Sequence, residues 1–556
     1  MTQQVVQPKS EPWTYFLIRL LFKFVLKIFY GSIIVENEHY IPPNGTPAII
    51  CSNHTNSLTD AILLIAAVPS KRRNLLRMTA KDTQFGKKTF TSWLIESVGT
   101  VPIKRRQEHG DSVDNMLVMT SLVESLRVGD CVCLFPEGMS RYHPGMAPLK
   151  TGVARIVSDT LSAEKDNPLF ELTLVTCSIT YMHRERFRSD VLVSFSPPVK
   201  LRPKDFPQLI QPVDFSVIRS LTAFMQSQIS SGTIDAPDWK TVRVAKLAAR
   251  MYAPLGTRMT LGDHVRVTRV FSDAFSGVTS RKWEESVKDE GGWVSDTSAK
   301  KEELVIRDSV APATQEASQE YRERLAKDLG EYQDLLAHLG IKDERIRRAL
   351  PRPFLFYRIV IRVVWMAILL AISIPGLLLW LPVYLTTSYA VWRFKMSGPI
   401  WDTFDEIAQY KMIYGLGAGA VVYSICLLIT WPILPITFWA IPLLMWLTVR
   451  WWEDAVSAAR ALNALMRLFL LGRHELGRTK LWRDGLHKRV MELSQELGLP
   501  DDPESYFARR GGKEKGRVRG KWESGSRYFS LKRRRKRDWN EALRWYDVTD
   551  YPNMDN

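Results

Sequence analysis

The chain has 556 residues, of which 46% are hydrophobic, and a formal net charge of +17 at neutral pH. This length accommodates two or three domains, and the positive charge calls for an anionic partner: nucleic acid, a membrane surface or an anionic substrate. The five cysteines have neither metal-ligand spacing nor a disulfide framework, so the sequence predicts no metal site and a reducing, cytosolic compartment.

The first predicted element is a helix over residues 14–30, which are apolar except for Arg19, Lys23 and Lys27. A spacing of four places these three cations on one helical stripe, which would cost about 2.5–3.5 kcal/mol per residue in the centre of a membrane span. A helix lying in the membrane surface avoids this cost by keeping its basic stripe at the headgroups. We therefore expect residues 1–40 to form an amphipathic membrane-surface helix and the segment that leads into the next domain. The alternative is a soluble helix packed on the next domain.

Residues 41–235 alternate short apolar strands with amphipathic helices, and this alternation predicts an α/β domain with a largely parallel sheet. The predicted strands are Pro47–Ser52, Val98–Ile103, Asp130–Phe135, Leu172–Tyr181 and Val191–Phe195. The predicted helices lie around Asp60–Val68, Ser112–Leu126 and Thr151–Leu161. Active residues of such domains lie at strand ends and in the loops that follow them.

Two short polar motifs follow predicted strands. Residues 53–60 read Asn-His-Thr-Asn-Ser-Leu-Thr-Asp, and residues 135–138 read Phe-Pro-Glu-Gly. An imidazole base with a carboxylate to orient it is the arrangement that deprotonates a hydroxyl near neutral pH. The second motif suits a tight turn that holds one acidic group at a strand end.

The spacing within the first motif constrains its geometry. In a regular helix a six-residue step would place His54 and Asp60 roughly 120° apart, so their contact requires a non-helical turn through Thr55–Leu58. Asn56 and Ser57 are residues that support such a turn. The alternative interpretation makes His54 a loop residue and Asp60 a helix N-cap.

In this order and at this separation the two motifs resemble the first and third sequence blocks of the glycerolipid acyltransferase family. Five residues separate His54 from Asp60, where most of the family has four, and the longer spacing is similar to fungal-type glycerol-phosphate acyltransferases. The resemblance covers residues 45–200 by motif and extends more loosely to the apolar C-terminal half. It implies that His54 is the general base, that Asp60 is its partner, and that acyl-CoA is a co-substrate with no cofactor. A covalent route through Ser57 or Cys51 is the rival.

Residues 99–105, Gly-Thr-Val-Pro-Ile-Lys-Arg, look like the second block of the family. Arg105 matches the arginine that the family uses for the phosphate of the acceptor, and a guanidinium is well suited to pair with a phosphate through two hydrogen bonds. Lys104 and Arg106 add positive charge. The alternative is a solvated loop of three adjacent cations.

In the third block, the resemblance implies that Glu137 contacts a glycerol hydroxyl or fixes the phosphate-binding loop, while Gly138 allows close approach of the backbone. Much of the family has Thr-Arg after this glycine. Here Ser140 stands in place of that arginine and Arg141 follows, and we group Ser140 with the substrate-binding residues. Lys150 resembles a family lysine near the phosphate pocket, and the alternative is a lone surface lysine.

The fourth block is a strand that ends in Tyr181 and is followed by a basic turn at residues 183–188. It resembles the fungal-type members and would help to bind the acyl chain or coenzyme A. His183 is the one other candidate base in this region, and the alternative is a surface histidine.

Residues 236–350 form a predicted helical and linker region. It is polar and irregular from residue 255, carries an insert over Ser276–Asp308 that we expect to be mobile, and regains a helical pattern over Gln315–Leu339. We expect that last helix to pack on the catalytic domain.

Residues 351–450 form a predicted transmembrane module. Val363–Trp392 and Met412–Val449 contain no charged residue, and each exceeds the roughly 20 residues that one span requires. Prolines interrupt both blocks, so each is a kinked span or a helical hairpin. Basic residues flank the outer ends, which places both flanks in the cytosol and requires two or four crossings.

Residues 451–556 form a predicted basic, helical and disordered tail, and its strongly basic part spans residues 509–537. Nucleic-acid binding is the formal alternative for this tail. Next to membrane spans, anionic lipid headgroups are the better partner. A solvated tail without a partner is the simplest interpretation.

The resemblance implies transfer of an acyl chain to the sn-1 hydroxyl of glycerol-3-phosphate, with dihydroxyacetone phosphate as an alternative acceptor. It also implies an integral protein of the endoplasmic reticulum membrane whose catalytic domain and termini are cytosolic, with an anionic lipid membrane and no nucleic acid as partner. A lysophosphatidate or lysophospholipid acyltransferase is the second hypothesis. A non-catalytic membrane lipid-binding protein is the third, and the oligomeric state is left open.

Overall fold

The computed structural model describes most of the chain. The described residues are 13–81, 85–103, 116–254, 257, 259–277, 312–343, 346, 352–398 and 401–509. They belong to two compact units, of which the first contains residues 13–235 and the second contains the described residues from 236 to 509.

The first unit is an α/β domain. Its elements are α1 (Trp13–Phe29), β1 (Ser32–Glu36), β2 (Ala48–Ser52), α2 (Ser57–Ala67), β3 (Arg77–Lys81), α3 (Phe90–Ser97), β4 (Val101–Ile103), α4 (Met116–Arg127), β5 (Cys131–Leu134), α5 (Gly152–Ala163), β6 (Leu172–Tyr181), β7 (Asp190–Phe195), β8 (Val199–Leu201) and α6 (Phe215–Ser231). The strands of this sheet follow the order β1-β7-β6-β2-β5-β3-β4, and β8 pairs with the start of β6.

The centre of the sheet is parallel. β6, β2, β5, β3 and β4 run in one direction, whereas β7 is antiparallel to β6 and carries β1 alongside it. Every residue of β2, β5 and β6 is buried, as expected for parallel strands covered on both faces. The predicted fold class is therefore confirmed, and polar side chains can reach water chiefly where these strands end.

Three of the observed strands were not predicted. β1 and β8 are short and lie at the margins of the apolar pattern, and β3 reads Arg-Met-Thr-Ala-Lys, with a cation at each end. The strand predicted over Val98–Ile103 begins only at Val101, because α3 ends at Ser97 and Gly99 adopts a positive φ of 68°. The other predicted strands agree with β2, β5, β6 and β7, and β6 has the predicted bounds.

The expected position of Arg19 at lipid headgroups is wrong. Its side chain is 3% exposed, and its guanidinium donates hydrogen bonds to the backbone carbonyls of Val68, Arg73 and Asn74. Because α1 is apolar on nearly every side, the spacing of its cations could not show which face packs on the domain. The face that carries Arg19 is the inner one.

The second unit is helical. Its elements are α7 (Trp239–Tyr252), α8 (Leu261–Phe275), α9 (Pro312–Leu339), α10 (Arg352–Met396), α11 (Ile407–Ile429), α12 (Leu434–Leu470), α13 (Arg473–Glu496) and α14 (Pro503–Arg509). One hydrophobic core joins Val244 of α7, Phe271 of α8, Leu325 of α9 and Val490 of α13. The same core includes Ile346, which precedes α10, and Leu468 near the end of α12.

The helix predicted over Gln315–Leu339 is confirmed as part of α9, although it packs on α7, α8 and α13. The expected irregular structure after residue 255 is wrong for α8. The predicted insert lies outside the described residues from residue 278 onward, as does the basic tail from residue 510.

Three helices of the second unit, α10, α11 and α12, are long and apolar enough to cross a membrane. The first charge-free block is one continuous helix that contains Pro375 and Pro382. The second block is divided into two helices, since a short 3₁₀ turn at Trp431–Ile433 separates α11 from α12. Most side chains of these helices are exposed in the protein, as a lipid-facing surface would be.

Helices α10 and α12 pack against each other in antiparallel fashion. Gly376 faces Thr448 without room for a Cβ atom, and the indole Nε1 of Trp380 donates a hydrogen bond of 2.9 Å to the carbonyl of Met445. The start of α10 and the end of α12 therefore lie at the same end of the pair. The segments that flank the two helices share the core described above, so both flanks lie at the same end of the α10–α12 pair.

Candidate active site

The candidate site lies where β6, β2 and β5 end side by side. These three parallel strands are neighbours in the sheet, so the loops after them meet at one edge. Asn53 and His54 follow β2, Glu137 follows β5, and Tyr181 is the last residue of β6. This is the location that the α/β pattern predicts for active residues.

Asn53 fixes the start of the loop that carries His54. Its buried side chain donates to the carbonyl of Ile179 at 2.9 Å and accepts from the N–H of Ile179 at 2.7 Å. The amide therefore continues the β2–β6 ladder one residue beyond the strand. The direction in which the backbone leaves β2 is set by this pair of bonds.

His54 and Asp60 are in direct contact. The Nδ1 atom of His54 lies 2.9 Å from Oδ2 of Asp60, whose side chain is fully buried, while the imidazole is 14% exposed. A carboxylate accepts hydrogen bonds, so Nδ1 carries the proton and Nε2 is the nitrogen available as a base. The ring of His54 also stacks on Phe135, with ring centroids 4.3 Å apart. The imidazole is thus held by one edge and one face.

The non-helical turn required by the spacing is present. Ser57 has a positive φ of 45°, and Oδ2 of Asp60 accepts the N–H groups of Thr55 and Asn56, each at 2.8 Å. Asp60 is therefore not the N-cap of α2 but a first-turn carboxylate that reaches back to the amides before the helix. The same oxygen that shapes the turn orients His54.

The second oxygen of Asp60 is bound by Tyr181. The Tyr181 hydroxyl donates to Oδ1 at 2.6 Å, and burial raises the pKa of Tyr181, so the phenol stays protonated and can donate. Behind this pair, Nδ2 of Asn56 donates to the hydroxyl of Tyr30 at 3.2 Å. The sequence pattern placed Tyr181 only in a block expected to bind the acyl chain or coenzyme A. Its contact with Asp60 joins residues 121 positions apart, which no local spacing predicts.

Glu137 joins the loop after β5 to the loop after β2. Its Oε1 accepts the N–H of His54 at 2.6 Å, and its Oε2 accepts the N–H of Ala147 at 3.0 Å. Burial raises the pKa of Glu137, against the opposing effect of these two amide bonds. Since both oxygens bind backbone, the geometry favours the loop-fixing role over direct contact with a hydroxyl.

Gly138 and Lys150 are packed together beside this loop. Gly138 has a φ of 77°, and its N–H donates to the carbonyl of Phe135 at 3.0 Å, which closes the Phe-Pro-Glu-Gly turn. A Cβ atom on Gly138 would lie 2.5 Å from Nζ of Lys150, so the glycine makes room for the lysine side chain. Lys150 is exposed to solvent, and Ser140 is half-buried in the same loop.

Arg105 lies outside the described residues, as do Lys104 and Arg106. The structure shows only that β4, which ends at Ile103 two residues before Arg105, is parallel to β3 and ends at the same edge of the sheet. The role of Arg105 stays a prediction.

The basic turn of the fourth block braces its surroundings. The guanidinium of Arg184 donates to the carbonyls of Arg141 and His143 and lies over the ring of Tyr142. Arg188 donates through Nη1 to three backbone carbonyls at the end of α1. These contacts hold loops together, and the sequence pattern had suggested ligand binding.

Within the described ranges, no group of three or more His, Cys, Asp or Glu side chains is placed to hold a metal ion. The chemistry available at this edge is that of an oriented imidazole, a buried carboxylate pair and nearby cations. Such a set can move a proton to or from a hydroxyl and can attract an anion.

Comparison with known proteins agrees with this arrangement. The sequence model of the acyltransferase family matches residues 32–180, which contain β2, β5 and all of β6 except Tyr181. The model of the glycerol-3-phosphate acyltransferase 2 C-terminal domain matches residues 315–501, which contain α10, α11 and α12. The two matches cover both units of the chain.

Three yeast proteins are similar to the chain over more than half its length. An uncharacterised acyltransferase of Schizosaccharomyces pombe is 25% identical over 56% of this chain and 41% of its own length. Glycerol-3-phosphate O-acyltransferase 2 of Saccharomyces cerevisiae is 23% identical over 57% of this chain and 38% of its own. Glycerol-3-phosphate O-acyltransferase 1 of the same yeast is 23% identical over 57% and 37%.

The chain therefore spans about two fifths of the length of the relatives it matches. The matched part includes the parallel sheet with His54, Asp60 and Glu137 at its edge. The chain therefore contains an acyltransferase domain and a glycerol-3-phosphate acyltransferase 2 C-terminal domain, and it is similar to glycerol-3-phosphate O-acyltransferases of yeast.

Proposed function

We propose that this protein transfers an acyl chain from acyl-CoA to the sn-1 hydroxyl of glycerol-3-phosphate. The observation that carries the proposal is the His54–Asp60 pair, in which Nδ1 is bound to a buried carboxylate and Nε2 is left to act as a base. The two Saccharomyces relatives are glycerol-3-phosphate O-acyltransferases, which supports the choice of acceptor. No cofactor enters the proposed reaction.

The proposed chemistry is a direct transfer. Nε2 of His54 removes the proton of the hydroxyl as its oxygen attacks the thioester carbonyl, and Asp60 stabilises the imidazolium that forms. The carbon–sulfur bond then breaks, and the proton passes from His54 to the departing coenzyme A thiolate. One ester bond forms and one thioester bond is lost, without a covalent enzyme intermediate.

The rival covalent route has little support at Cys51. Its side chain is fully buried in β2, and burial raises the pKa of the thiol well above its usual range. A thiol that is neither exposed nor ionised is a poor nucleophile. This observation favours direct attack by the acceptor.

The acceptor phosphate is proposed to bind Arg105 and Lys150. Lys150 presents an exposed ammonium beside the Glu137 loop, and its side chain runs across Gly138. Glu137 fixes that loop in our proposal, and Ser140 lies close enough in sequence to contribute a hydroxyl to the same pocket. Cations of this kind bind a phosphate through charge-assisted hydrogen bonds.

We further propose that the protein is integral to the endoplasmic reticulum membrane, with its catalytic domain and both termini in the cytosol. The three apolar helices support integral insertion. The antiparallel pair α10 and α12 and the basic outer flanks of the module support the same side for both flanks. Lysophosphatidate remains the second candidate acceptor. The match of the C-terminal half to a glycerol-3-phosphate acyltransferase domain favours the first.

A side-by-side acceptor assay tests the proposal. Purified protein in vesicles is supplied with labelled acyl-CoA and, separately, with glycerol-3-phosphate, dihydroxyacetone phosphate or lysophosphatidate. We expect kcat/KM for glycerol-3-phosphate to exceed that for lysophosphatidate at least about tenfold, or about 1.4 kcal/mol of transition-state binding. The reverse ratio would assign the protein to the second acylation step.

A further inference from the structure

The outer face of α1 carries a continuous apolar stripe. Five large side chains on this face are between 49% and 73% exposed: Trp13, Phe16, Leu17, Leu20 and Phe24. At about 100° per residue they fall within an arc of roughly 100° around the helix. The opposite face is buried on the domain and includes Arg19, so one face of α1 packs on the protein and the other is exposed.

The apolar surface continues on α3. Thr14 of α1 donates a hydrogen bond to the carbonyl of Ser97 at the end of α3, and Trp93 of α3 is 52% exposed. Cations accompany this surface. Lys23 lies beside the α1 stripe, Lys27 lies within its C-terminal end, and the exposed Lys87 and Lys88 lie shortly before α3.

A stripe of this size marks a binding surface, because soluble proteins rarely expose so many neighbouring large apolar side chains. The chain itself indicates the occupant. Its second unit contains three helices that can cross a membrane, so a bilayer is tethered to the first unit by the same polypeptide. Lysines beside an apolar face complement anionic headgroups, as they do in helices that lie in the membrane surface.

We propose that the outer face of α1, together with Trp93, inserts into one leaflet of an anionic bilayer. The helix lies with Arg19 toward the protein and the apolar stripe toward the acyl chains, so it differs from the expected orientation in the position of Arg19. The side chains of Lys23 and Lys27 extend toward the headgroups near the C-terminal end of the stripe.

This orientation would bring the candidate site close to the leaflet. Tyr30 directly follows α1, and its hydroxyl accepts a hydrogen bond from Asn56 of the His54 loop. Arg188, after β6, binds the carbonyls at the end of the helix. Easier access of an acyl-CoA whose chain lies in the leaflet would follow, and this consequence rests on the proposed function. Insertion of the helix does not rest on it.

Spin-label depth measurements test the insertion on the full chain. Cys426 is replaced by alanine, since the other four cysteines are buried. A nitroxide is then attached at Phe16→Cys or Leu20→Cys in protein reconstituted into phosphatidylcholine–phosphatidylserine vesicles. The matched control is Leu169→Cys, at a residue that is 73% exposed between α5 and β6.

We expect both α1 labels to be accessible to oxygen and protected from a water-soluble nickel complex, with the opposite result at residue 169. Equal access of the nickel complex at all three positions would overturn the proposal. Protection of the α1 labels from both reagents would also overturn it, since this result indicates a protein segment or a second copy over the stripe.

A kinetic comparison separates the inserted face from the proposed reaction. Leu20→Glu should lower kcat/KM for a long-chain acyl-CoA several-fold more than for a short, water-soluble one, while Leu169→Glu should change neither. An equal loss with both donors would contradict the link between insertion and donor access. If the proposed acceptor is wrong, the wild type will show no acyl transfer to glycerol-3-phosphate, while the depths of the labels will be unchanged.

Discussion

The two sides of the candidate site are built in contrasting ways. Around Asp60, four donors bind both carboxylate oxygens, and the groups that orient His54 are buried. On the side expected to hold the phosphate, Lys150 is exposed, and Arg105 lies outside the described residues. His54 and Asp60, the proposed proton-transfer groups, are thus positioned before a substrate binds. Lys150, on the proposed phosphate side, can attract an anion through its charge without a fixed geometry. Substitutions on the two sides should therefore affect different kinetic parameters.

The largest effect is expected for His54→Ala. Loss of the base should lower kcat by roughly 10²–10⁴-fold and leave acyl-CoA binding and membrane association intact, because in our proposal His54 is the base and Asp60 orients it through Nδ1. The measurement is initial-rate kinetics in vesicles with both substrates varied. The matched control is His183→Ala, which removes a nearby buried histidine. Activity above about a tenth of wild type would refute the assignment.

Asp60→Asn should cost less than His54→Ala but still at least about tenfold in kcat. The amide presents an N–H₂ group where the carboxylate accepts from three donors, so the turn and the tautomer of His54 are both disturbed. The comparison uses the same assay, with Asp159→Asn on α5 as the control. Wild-type kcat in Asp60→Asn would show that the imidazole needs no carboxylate partner.

Arg105→Ala should act on the other side of the site. We expect the KM for glycerol-3-phosphate to rise roughly 10- to 100-fold, as the loss of a charged hydrogen bond of about 1.5–3 kcal/mol implies, with little change in the KM for acyl-CoA. Lys150→Ala should raise the same KM less. The control is Arg202→Ala, whose partner Glu171 precedes β6 at the far edge of the sheet. Equal changes in both KM values would indicate a structural loop or a coenzyme A site.

The smallest effect is expected for Tyr181→Phe. Removing the hydroxyl leaves Oδ1 of Asp60 without its donor, which should lower kcat by roughly tenfold or less and leave the KM for glycerol-3-phosphate unchanged. The control is Tyr252→Phe, which removes a hydroxyl bound to the carbonyl of Pro500 in the second unit. A rise in the acceptor KM instead of a fall in kcat would move Tyr181 to the phosphate side.

Local patterns carried most of the correct predictions. β6 was predicted with its observed bounds because its ten residues form one apolar run between polar loops. The His54–Asp60 turn followed from a six-residue spacing, in which only a departure from helix allows contact. The two charge-free blocks predicted membrane helices because length and composition suffice for that inference.

Contacts between distant segments could not be predicted in this way. Arg19 was predicted to lie at the lipid headgroups because the three carbonyls that bind it are distant in sequence, and no local pattern indicates them. The contacts of Tyr30 and Arg188 could not be predicted for the same reason, since each residue reaches its partner only in the folded domain. Glu137 was identified by its motif. Whether its carboxylate binds the substrate or the backbone could not be predicted, because this depends on the position of Ala147.

The most direct test of the account is a rapid-quench single turnover. Wild type and His54→Ala are loaded with labelled acyl-CoA in vesicles and mixed with saturating glycerol-3-phosphate, and both the lipid product and any acylated protein are counted. The account predicts that His54→Ala forms product at least about 10² times more slowly and that no acylated protein accumulates in either. Product formation at an unchanged rate, or an acylated protein that is converted to product, would contradict it.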